Sequence, residues 1–264
     1  MKKVNIFIHC VVAIVIAYTP SSLHANERRF GFVYESSVLS PHVRELETWN
    51  TYRTHSKYFS RRFDQRFEYE FGVVNNLMSA LYFNYTWKLA DSSQGALNSG
   101  TVASSEASIS SEWKYKVMDR TADAIGMALY GEATLGLNEV EFEGKLIFDK
   151  QIEKFLVAAN FVIEHESEAE VEKGAVLNET SQHYEIAAGI AYAINNNFSL
   201  GIEARSIHKR KDNITTLSTL YAGSTLSYSA ENWWVVLSLL PELSTSKGTA
   251  AYQTESRLLF SFHL

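Results

Sequence analysis

The sequence is poor in cysteine and proline. Among 264 residues it has one cysteine, Cys10, and three prolines. Because Cys10 lies in a segment that we expect to be removed, the mature chain has no disulfide framework and no thiol chemistry. Few prolines and 13% aromatic residues favour long β-strands, since proline cannot donate a hydrogen bond within a sheet and aromatic side chains are enriched in strands.

The chain also lacks basic clusters and, after its start, long apolar runs. Its net charge of −6 argues against nucleic acid as a partner. The one apolar run, residues 4–17, follows the basic start Met1–Lys3 and leads to Leu23–Ala25. It is too short for a membrane-spanning helix and is typical of a secretory signal peptide. We expect cleavage after Ala25, with a permanent membrane anchor as the alternative.

Residues 61–73 alternate between apolar and charged side chains. Period-two alternation over this length predicts a strand rather than a helix. An aromatic face backed by a charged face is typical of a transmembrane β-barrel with lipid outside and a polar lumen inside, although a soluble sandwich shows a similar pattern. The aromatic face carries Phe63, Phe67, Tyr69 and Phe71, and the opposite face carries Arg62, Asp64, Arg66, Glu68 and Glu70.

The strand register of three hairpins can be predicted by keeping the apolar residues of paired strands on the same face. A turn after residue 73 sets Phe67 opposite Phe83, and one at residues 195–197 sets Ile190 opposite Ile202. The third, at residues 149–153, sets Phe148 opposite Phe155. Each pairing keeps apolar side chains on one face, as a strand register requires.

Longer polar connections alternate with these turns, at residues 91–106, 168–178, 209–215 and 243–250. Short turns at one end and longer loops at the other are typical of outer-membrane barrels. Counting from residue 43 predicts an all-β, antiparallel transmembrane β-barrel of about twelve strands, residues 43–264. Residues 30–38 also read as a strand, but a thirteenth strand would put the termini at opposite ends. We therefore assign residues 26–42 to an N-terminal segment, either periplasmic or in the barrel mouth.

The end of the chain supports the barrel. Leu258, Phe260, Phe262 and Leu264 share one face of a final strand, which we expect to pair with the first strand and to face lipid. The expected location is the outer membrane of a Gram-negative bacterium, in contact with its lipid and lipopolysaccharide. We expect the barrel-assembly machinery to recognise the strand Leu258–Leu264.

Several segments resemble a known group of proteins. The hairpin formed by residues 68–72 and 80–85, together with residues 31–35 and 45–49, is similar to one common in uncharacterised Gram-negative outer-membrane barrels. Some of these are grouped as transporter-like proteins linked to aromatic-compound degradation pathways. The resemblance covers about the first third of the chain. It implies an outer-membrane barrel and, loosely, a role in solute uptake, and it brings no catalytic motif.

The predicted lumen carries charges of both signs. As a channel lining they would select solutes by charge, and as mutually paired groups they would close the lumen. Barrels of about eight strands are filled by side chains and those of about sixteen hold an aqueous channel, so twelve strands leave both interpretations open. The candidate selectivity residues are Arg62, Asp64, Arg66, Glu68, Glu70, Glu203 and Arg205.

An acidic mouth is the second candidate site. In the register of the third hairpin Glu139 lies opposite Glu164, with Glu141, Glu143 and Glu166 on the same lumen-facing side. Like charges opposed in a ladder are unfavourable unless a cation or solvent relieves them. The cluster is therefore either a cation-attracting mouth, with a weak calcium or magnesium site, or a solvated acidic rim. No metal ligand or cofactor is assigned.

The sequence as a whole predicts a narrow porin for passive transfer of small polar or charged solutes. The alternative is a non-conducting structural or surface-binding barrel whose lumen is closed by salt bridges. A barrel hydrolase using His183 and Glu185 is less favoured, because no nucleophile is fixed to them by spacing. We predict no catalytic residues.

Overall fold

A computed structural model describes residues 27–55, 60–91, 100–172, 175–211, 214–246 and 252–264. The predicted signal peptide, residues 1–25, lies outside them. The described residues form the strands β1 (Arg44–His55), β2 (Ser60–Val74), β3 (Leu77–Asp91), β4 (Thr101–Met118), β5 (Gly126–Gly136), β6 (Glu139–Ile152), β7 (Phe155–Glu172), β8 (Ala175–Ala193), β9 (Phe198–Lys211), β10 (Ile214–Ser229), β11 (Trp233–Ser246) and β12 (Thr254–His263). Within the described ranges, no helix is long and apolar enough to cross a membrane.

The twelve strands of the described chain form one closed antiparallel barrel. Each strand pairs with its neighbours in sequence, and β12 pairs with β1. At this closing seam Leu46 lies opposite Phe262 and Trp49 opposite Leu259. Closure lets the terminal strands satisfy each other's backbone groups, which a bilayer demands because it offers no water. The predicted fold class is confirmed.

The outward face of the barrel is apolar along the middle of the strands. Phe67 and Phe83 lie opposite each other on β2 and β3 and are each 49% exposed, whereas the inward Glu68 is buried. An apolar surface that runs around the whole barrel requires lipid to cover it, so the barrel is built to span a membrane. Other exposed apolar side chains on this surface are Leu81, Ile109, Leu129, Phe161, Ile186, Ile202, Leu226, Leu237 and Phe260.

Two of the three predicted hairpin registers are confirmed, since Phe67 pairs with Phe83 and Ile190 with Ile202. In the first hairpin the odd offset comes from an irregularity between Gly72 and Val74 next to a two-residue turn at 75–76. A bulge adds one residue to one strand and so shifts the register as an odd loop would.

The register predicted for the third hairpin is wrong. Phe148 pairs with Ala159, four positions beyond the predicted Phe155, because β6 continues to Ile152 and the turn is residues 153–154. Glu153 adopts a positive φ of 52° there. A shift by an even number of residues leaves every side chain on its predicted face, so alternation of apolar and polar residues could not detect the error.

The predicted long connections are also shorter than expected. β4 begins at Thr101, and β7 and β8 leave only residues 173–174 between them. Backbone pairing continues through these segments, so β4, β7 and β8 extend beyond the ends that their polar composition predicted. The remaining connections are residues 92–100, 173–174, 212–213 and 247–253, of which 92–99, 173–174, 212–213 and 247–251 lie outside the described residues.

The described part of the N-terminal segment, residues 27–43, forms no strand and lies inside the barrel. Phe30 and Val33 are fully buried. The segment reaches β1 by crossing β2 at Gly72, which forms a bridge with Pro41. A Cβ at Gly72 would lie 2.0 Å from the Ser40 carbonyl oxygen, so this crossing requires glycine. Hereafter residues 28–39 are called the lumen segment.

The extent of the membrane-facing surface can be tested with arginine. Phe83→Arg places a charge in the middle of the outward face and should reduce folding stability by about 2–4 kcal/mol. Ser105→Arg is the control, because Ser105 is exposed on the outer extension of β4, and should cost about 0–1 kcal/mol. Denaturant titrations of protein folded in lipid vesicles measure both. Equal costs would contradict the assigned membrane boundary.

Candidate functional site

A buried carboxylate holds the lumen segment in the barrel. Glu203 is 0% exposed and accepts hydrogen bonds from three successive backbone N–H groups, at 2.9 Å from Gly31, 2.7 Å from Phe32 and 2.9 Å from Val33. The Ser238 hydroxyl donates a fourth at 2.6 Å. Hydrogen bonds to a charged acceptor are among the strongest in proteins, and together they compensate the burial of this charge.

Two further wall residues bind the segment's backbone. The Asn160 side-chain oxygen accepts from the Tyr34 N–H at 2.6 Å, and its side-chain NH2 donates to the Tyr34 carbonyl at 2.9 Å. Asp149 accepts from the Ser36 N–H at 2.9 Å and from its hydroxyl at 2.6 Å. The segment therefore satisfies its backbone on wall side chains, as buried polar groups must.

Three of these wall residues lie at similar positions along their strands. Asn160, Glu203 and Ser238 are each the sixth residue of their strand, counted from the end of the barrel that carries Arg44 and His263. The long extensions of β4, β7 and β8 lie at the opposite end, and bacterial barrels carry their longer connections on the extracellular side. The segment thus lies in the half of the lumen that this orientation assigns to the periplasm.

Apolar and aromatic contacts also hold the segment. Phe30 packs with Leu156 and Ala187, and a Cβ at Gly189 would lie 2.7 Å from its ring. Small inward residues on β8 thus make the space that Phe30 occupies. Tyr34 contacts the Trp49 ring, with the ring centroids 5.8 Å apart.

Above the lumen segment, toward the outer end, charged side chains pair across the lumen. Arg205 donates to Glu185 at 2.9 and 2.6 Å and to Glu255 at 2.6 Å. Arg53 contacts Glu255 at 2.7 Å and also bonds Asp64. Burying a charge costs free energy, and a buried ion pair offsets that cost only when its hydrogen bonds are short and well aligned. The short contacts of these arginines meet that condition.

The candidate selectivity residues of β2 divide into two levels. Arg62 contacts Asp64 at 2.6 Å, and Arg66 contacts Glu132 at 3.1 Å; the side chains of Arg62, Asp64 and Arg66 are 34%, 21% and 24% exposed. Glu68 and Glu70 lie deeper and are buried. Solvent inside the lumen therefore reaches the upper level.

The acids predicted to form a mouth share the inward face of β6 and β7, but their pairing differs from the prediction. Glu139 lies opposite Glu168, not Glu164, while Glu141 pairs with Glu166 and Glu143 with Glu164. The four-residue register shift described above accounts for the difference.

Three of these acids come together. Oxygens of Glu141, Glu164 and Glu166 lie within 4.8 Å of one another. Glu164 lies 3.3 Å from His183, and Glu166 accepts from the Ser181 hydroxyl at 3.1 Å. Glu143 pairs with Lys145 at 2.5 Å. The outer lumen from Arg62, Asp64 and Arg66 to Glu141, Glu164 and Glu166 is called the vestibule below.

His183 is positioned by acids. Its ring nitrogens lie 3.3 Å from Glu164 and 3.4 Å from Glu185, so it bridges two carboxylates. A general base for covalent catalysis would instead contact the nucleophile's hydroxyl or thiol. This geometry assigns His183 to the ion-pair network of the wall.

Sequence reasoning did not identify the residues that hold the lumen segment. It placed Glu203 in the lumen as a selectivity residue, whereas in the structure this carboxylate is enclosed by the segment's amides. Asn160, Asp149 and Ser238 were not singled out. The available signal was the run of small inward residues Ala187, Gly189 and Ala191, which leaves space opposite an apolar segment.

Comparisons with solved structures identify the fold. The chain is similar to the COG4313 outer membrane channel from Pseudomonas putida F1, with a TM-score of 0.65, 10% identity, and 93% of this chain and 100% of that chain covered. The similarity to the NanC porin has a TM-score of 0.54 and 11% identity, and it covers 83% of this chain and 100% of that chain. The similarity to the translocator domain of the autotransporter NalP from Neisseria meningitidis has a TM-score of 0.56 and 9% identity. It covers 84% of this chain and 88% of that chain.

At these identities the structural likeness shows the fold alone, which is that of outer-membrane channel and translocator barrels. A comparison with curated proteins gave no match. A family model matches residues 22–260, which span nearly all of the sequence. The chain therefore belongs to the family of unknown function DUF6662.

Proposed function

We propose that the protein is a narrow outer-membrane channel for small polar or charged solutes and that the lumen segment closes it in the observed state. The observation that carries the proposal is a charged, solvent-accessible vestibule that ends on the lumen segment. A vestibule lined by Arg62, Asp64, Arg66 and the acids of β6 and β7 can admit charged solutes. The segment beneath it fills the space through which they would pass.

The contacts of the lumen segment suit a movable closure. Glu203, Asn160 and Asp149 hold it through hydrogen bonds. Exchanging a bond to the neutral Asn160 for a bond to water changes the folding free energy by about 0.5–1.5 kcal/mol, and exchanging one to the charged Glu203 or Asp149 changes it by about 1.5–3 kcal/mol. In the open state we expect Glu203, Glu68 and Glu70 to join the channel lining, where with Arg62, Asp64, Arg66 and Arg205 they would set selectivity.

The alternative is a non-conducting structural or surface-binding barrel. The buried packing of Phe30 and Val33 and the ion pairs of Arg205 favour it, because both fill the lumen. In that case the outer strand extensions and connections would make the functional contacts. The conductance experiment below decides between the two functions.

Export and membrane partners complete the proposal. Cleavage of residues 1–25 would free the N-terminal segment to enter the barrel. The apolar outward face supports contact with outer-membrane lipid and lipopolysaccharide, and the exposed Leu258, Phe260 and Phe262 support recognition of the last strand by the barrel-assembly machinery. The likeness to transporters of aromatic-compound degradation pathways stays a prediction, and the charged vestibule favours polar solutes.

Deleting residues 28–39 should open the channel. In planar bilayers the wild type should show rare or very small conductance steps, and the deletion variant should show frequent, larger ones. Each sample should first show the heat-dependent gel shift of a closed barrel.

A disulfide lock provides the matched control. A Cβ at Gly31 would lie 2.9 Å from the Cβ of Ser238, and a disulfide needs about 3.5–4.5 Å. A small movement therefore allows Gly31→Cys/Ser238→Cys to crosslink the segment to the wall. The oxidised protein should be silent, and reduction should restore wild-type behaviour. Silence of the folded deletion variant would refute the channel and favour the non-conducting barrel.

The acids of the vestibule should set cation preference. In the variant that lacks residues 28–39, Glu141→Gln/Glu166→Gln removes two lumen charges and should move the reversal potential in a salt gradient toward zero. Glu153→Gln/Glu231→Gln is the control, because these exposed acids lie in turns at the periplasmic end. An unchanged reversal potential in the first double variant, or an equal change in the control, would rule out a selective acidic mouth.

A further inference from the structure

A second group of carboxylates lies deeper in the barrel, where β1 meets β2. Glu47 faces Glu68 across this ladder, and Glu45 faces Glu70. Oxygens of Glu47, Glu68 and Glu70 lie within 4.8 Å of one another, and these residues are only 3%, 2% and 5% exposed. Like charges directly opposed in a ladder destabilise the strand pairing, and burial removes the water that would screen them. The arrangement therefore requires a compensating group.

The described residues compensate Glu47 and Glu68 incompletely. Neither carboxylate oxygen of Glu47 or of Glu68 accepts a hydrogen bond within the described part of the chain. The paired guanidinium nitrogens lie beyond hydrogen-bonding distance: that of Arg28 is 3.7 Å from Glu47, and that of Arg66 is 3.8 Å from Glu68. Buried polar atoms in folded proteins nearly always bind protein groups, ordered water or an ion.

Neighbouring residues give an independent indication of a ligand. Tyr82 lies directly opposite Glu68 on β3 and is 4% exposed, yet its hydroxyl has no hydrogen-bond partner among the described residues. A cavity of about 10 Å³ beside Glu68 and Glu70 is also lined by Arg28, Trp49, Glu112 and Lys114, but not by Glu47 or Tyr82. It is close to the smallest space that holds one water-sized particle, so there is no room for an organic molecule in it.

The local charge balance indicates the sign of that ligand's charge. Glu45, Glu112, Arg28, Arg66 and Lys114 also act on Glu47, Glu68 and Glu70. Arg66 pairs in addition with Glu132, so acidic groups outnumber basic ones around the cluster. A bound cation would reduce this excess of negative charge. Carboxylate and hydroxyl oxygens are the ligands that Ca²⁺ and Mg²⁺ prefer.

We propose that Glu47, Glu68 and Glu70 form a buried site for one hard divalent cation of the Ca²⁺ or Mg²⁺ class, next to Tyr82, the cross-strand partner of Glu68. The cation would join β1 to β2 beside the lumen segment, where Arg28 stacks on Tyr34 and Trp49 at 4.4 and 4.5 Å. The site does not depend on whether the barrel conducts.

Titration calorimetry of the refolded mature protein with CaCl₂ and with MgCl₂ tests the site. The wild type should bind one cation per barrel, and Glu47→Gln/Glu68→Gln should weaken that affinity at least tenfold. Glu141→Gln/Glu166→Gln is the matched control, because it removes two acids from the other three-carboxylate cluster, and it should keep the deep site's affinity.

Thermal unfolding supplies a second readout. The unfolding temperature of the wild type should rise with the cation and fall with a chelator, since a ligand that binds only the folded state stabilises it. Glu47→Gln/Glu68→Gln should unfold at the same temperature with and without the cation. If this variant does not fold, Glu70→Gln is measured with the same criteria.

The proposal is overturned if the wild type shows no saturable binding at millimolar cation, which would mean that protons neutralise the cluster. It is also overturned if Glu47→Gln/Glu68→Gln binds as tightly as the wild type. Loss of all binding in Glu141→Gln/Glu166→Gln alone would place the cation at the vestibule instead.

Discussion

The carboxylate of Glu203 and three successive backbone amides of the lumen segment form the contact around which the interior is organised. Side chains pointing inward from the wall of an eight-stranded barrel fill its lumen, whereas the wall of this twelve-stranded barrel leaves space for one more element. Residues 28–39 occupy that space, and their backbone groups need partners because they lie in no sheet. Glu203 supplies one acceptor for Gly31, Phe32 and Val33 together. Asn160 and Asp149 supply the acceptors for the N–H groups of Tyr34 and Ser36.

The charges of the lumen follow from this filling. Above the lumen segment, Arg205 and Arg53 bridge acids of different strands, so charges of both signs neutralise one another around the wall. Beneath the vestibule Glu47 and Glu68 oppose each other with more distant basic groups. The interior thus combines the ion pairs of Arg205 and Arg53, the acidic vestibule and the deep acidic cluster. Arginines balance the acids in the ion pairs, and solvent reaches those of the vestibule. For the deep cluster we propose a bound cation.

Much of the fold could be predicted from residues on the strands. Alternation in residues 61–73 gives the strand, its faces and the pairing of Phe67 with Phe83, because a bilayer forces apolar side chains outward. The pairing of Phe148 could not be predicted, since a shift of four residues preserves both faces. The ends of β7 and β8 were not predicted either, because their many acidic residues are typical of a loop, whereas the pairing there is made by backbone groups.

The site was less predictable than the fold. Glu203, Arg205 and the acids of β6 and β7 were identified as inward, which follows from the period of a strand. Their partners lie far away in sequence: Gly31 and Glu203 are 172 residues apart, and the groups that bind the carboxylate are backbone amides, which every sequence contains. Only the small residues Ala187, Gly189 and Ala191 indicated that the wall leaves space for another element.

The most direct test of the central claim is amide hydrogen exchange at residues 31–33 of the protein folded in a membrane-like environment. The account predicts slow exchange at Gly31, Phe32 and Val33, comparable to that of strand amides, because their N–H groups are buried and bound to Glu203. Local opening is what permits exchange. Exchange as fast as in an unstructured peptide would show that the segment does not occupy the lumen, and the closed channel would have to be abandoned.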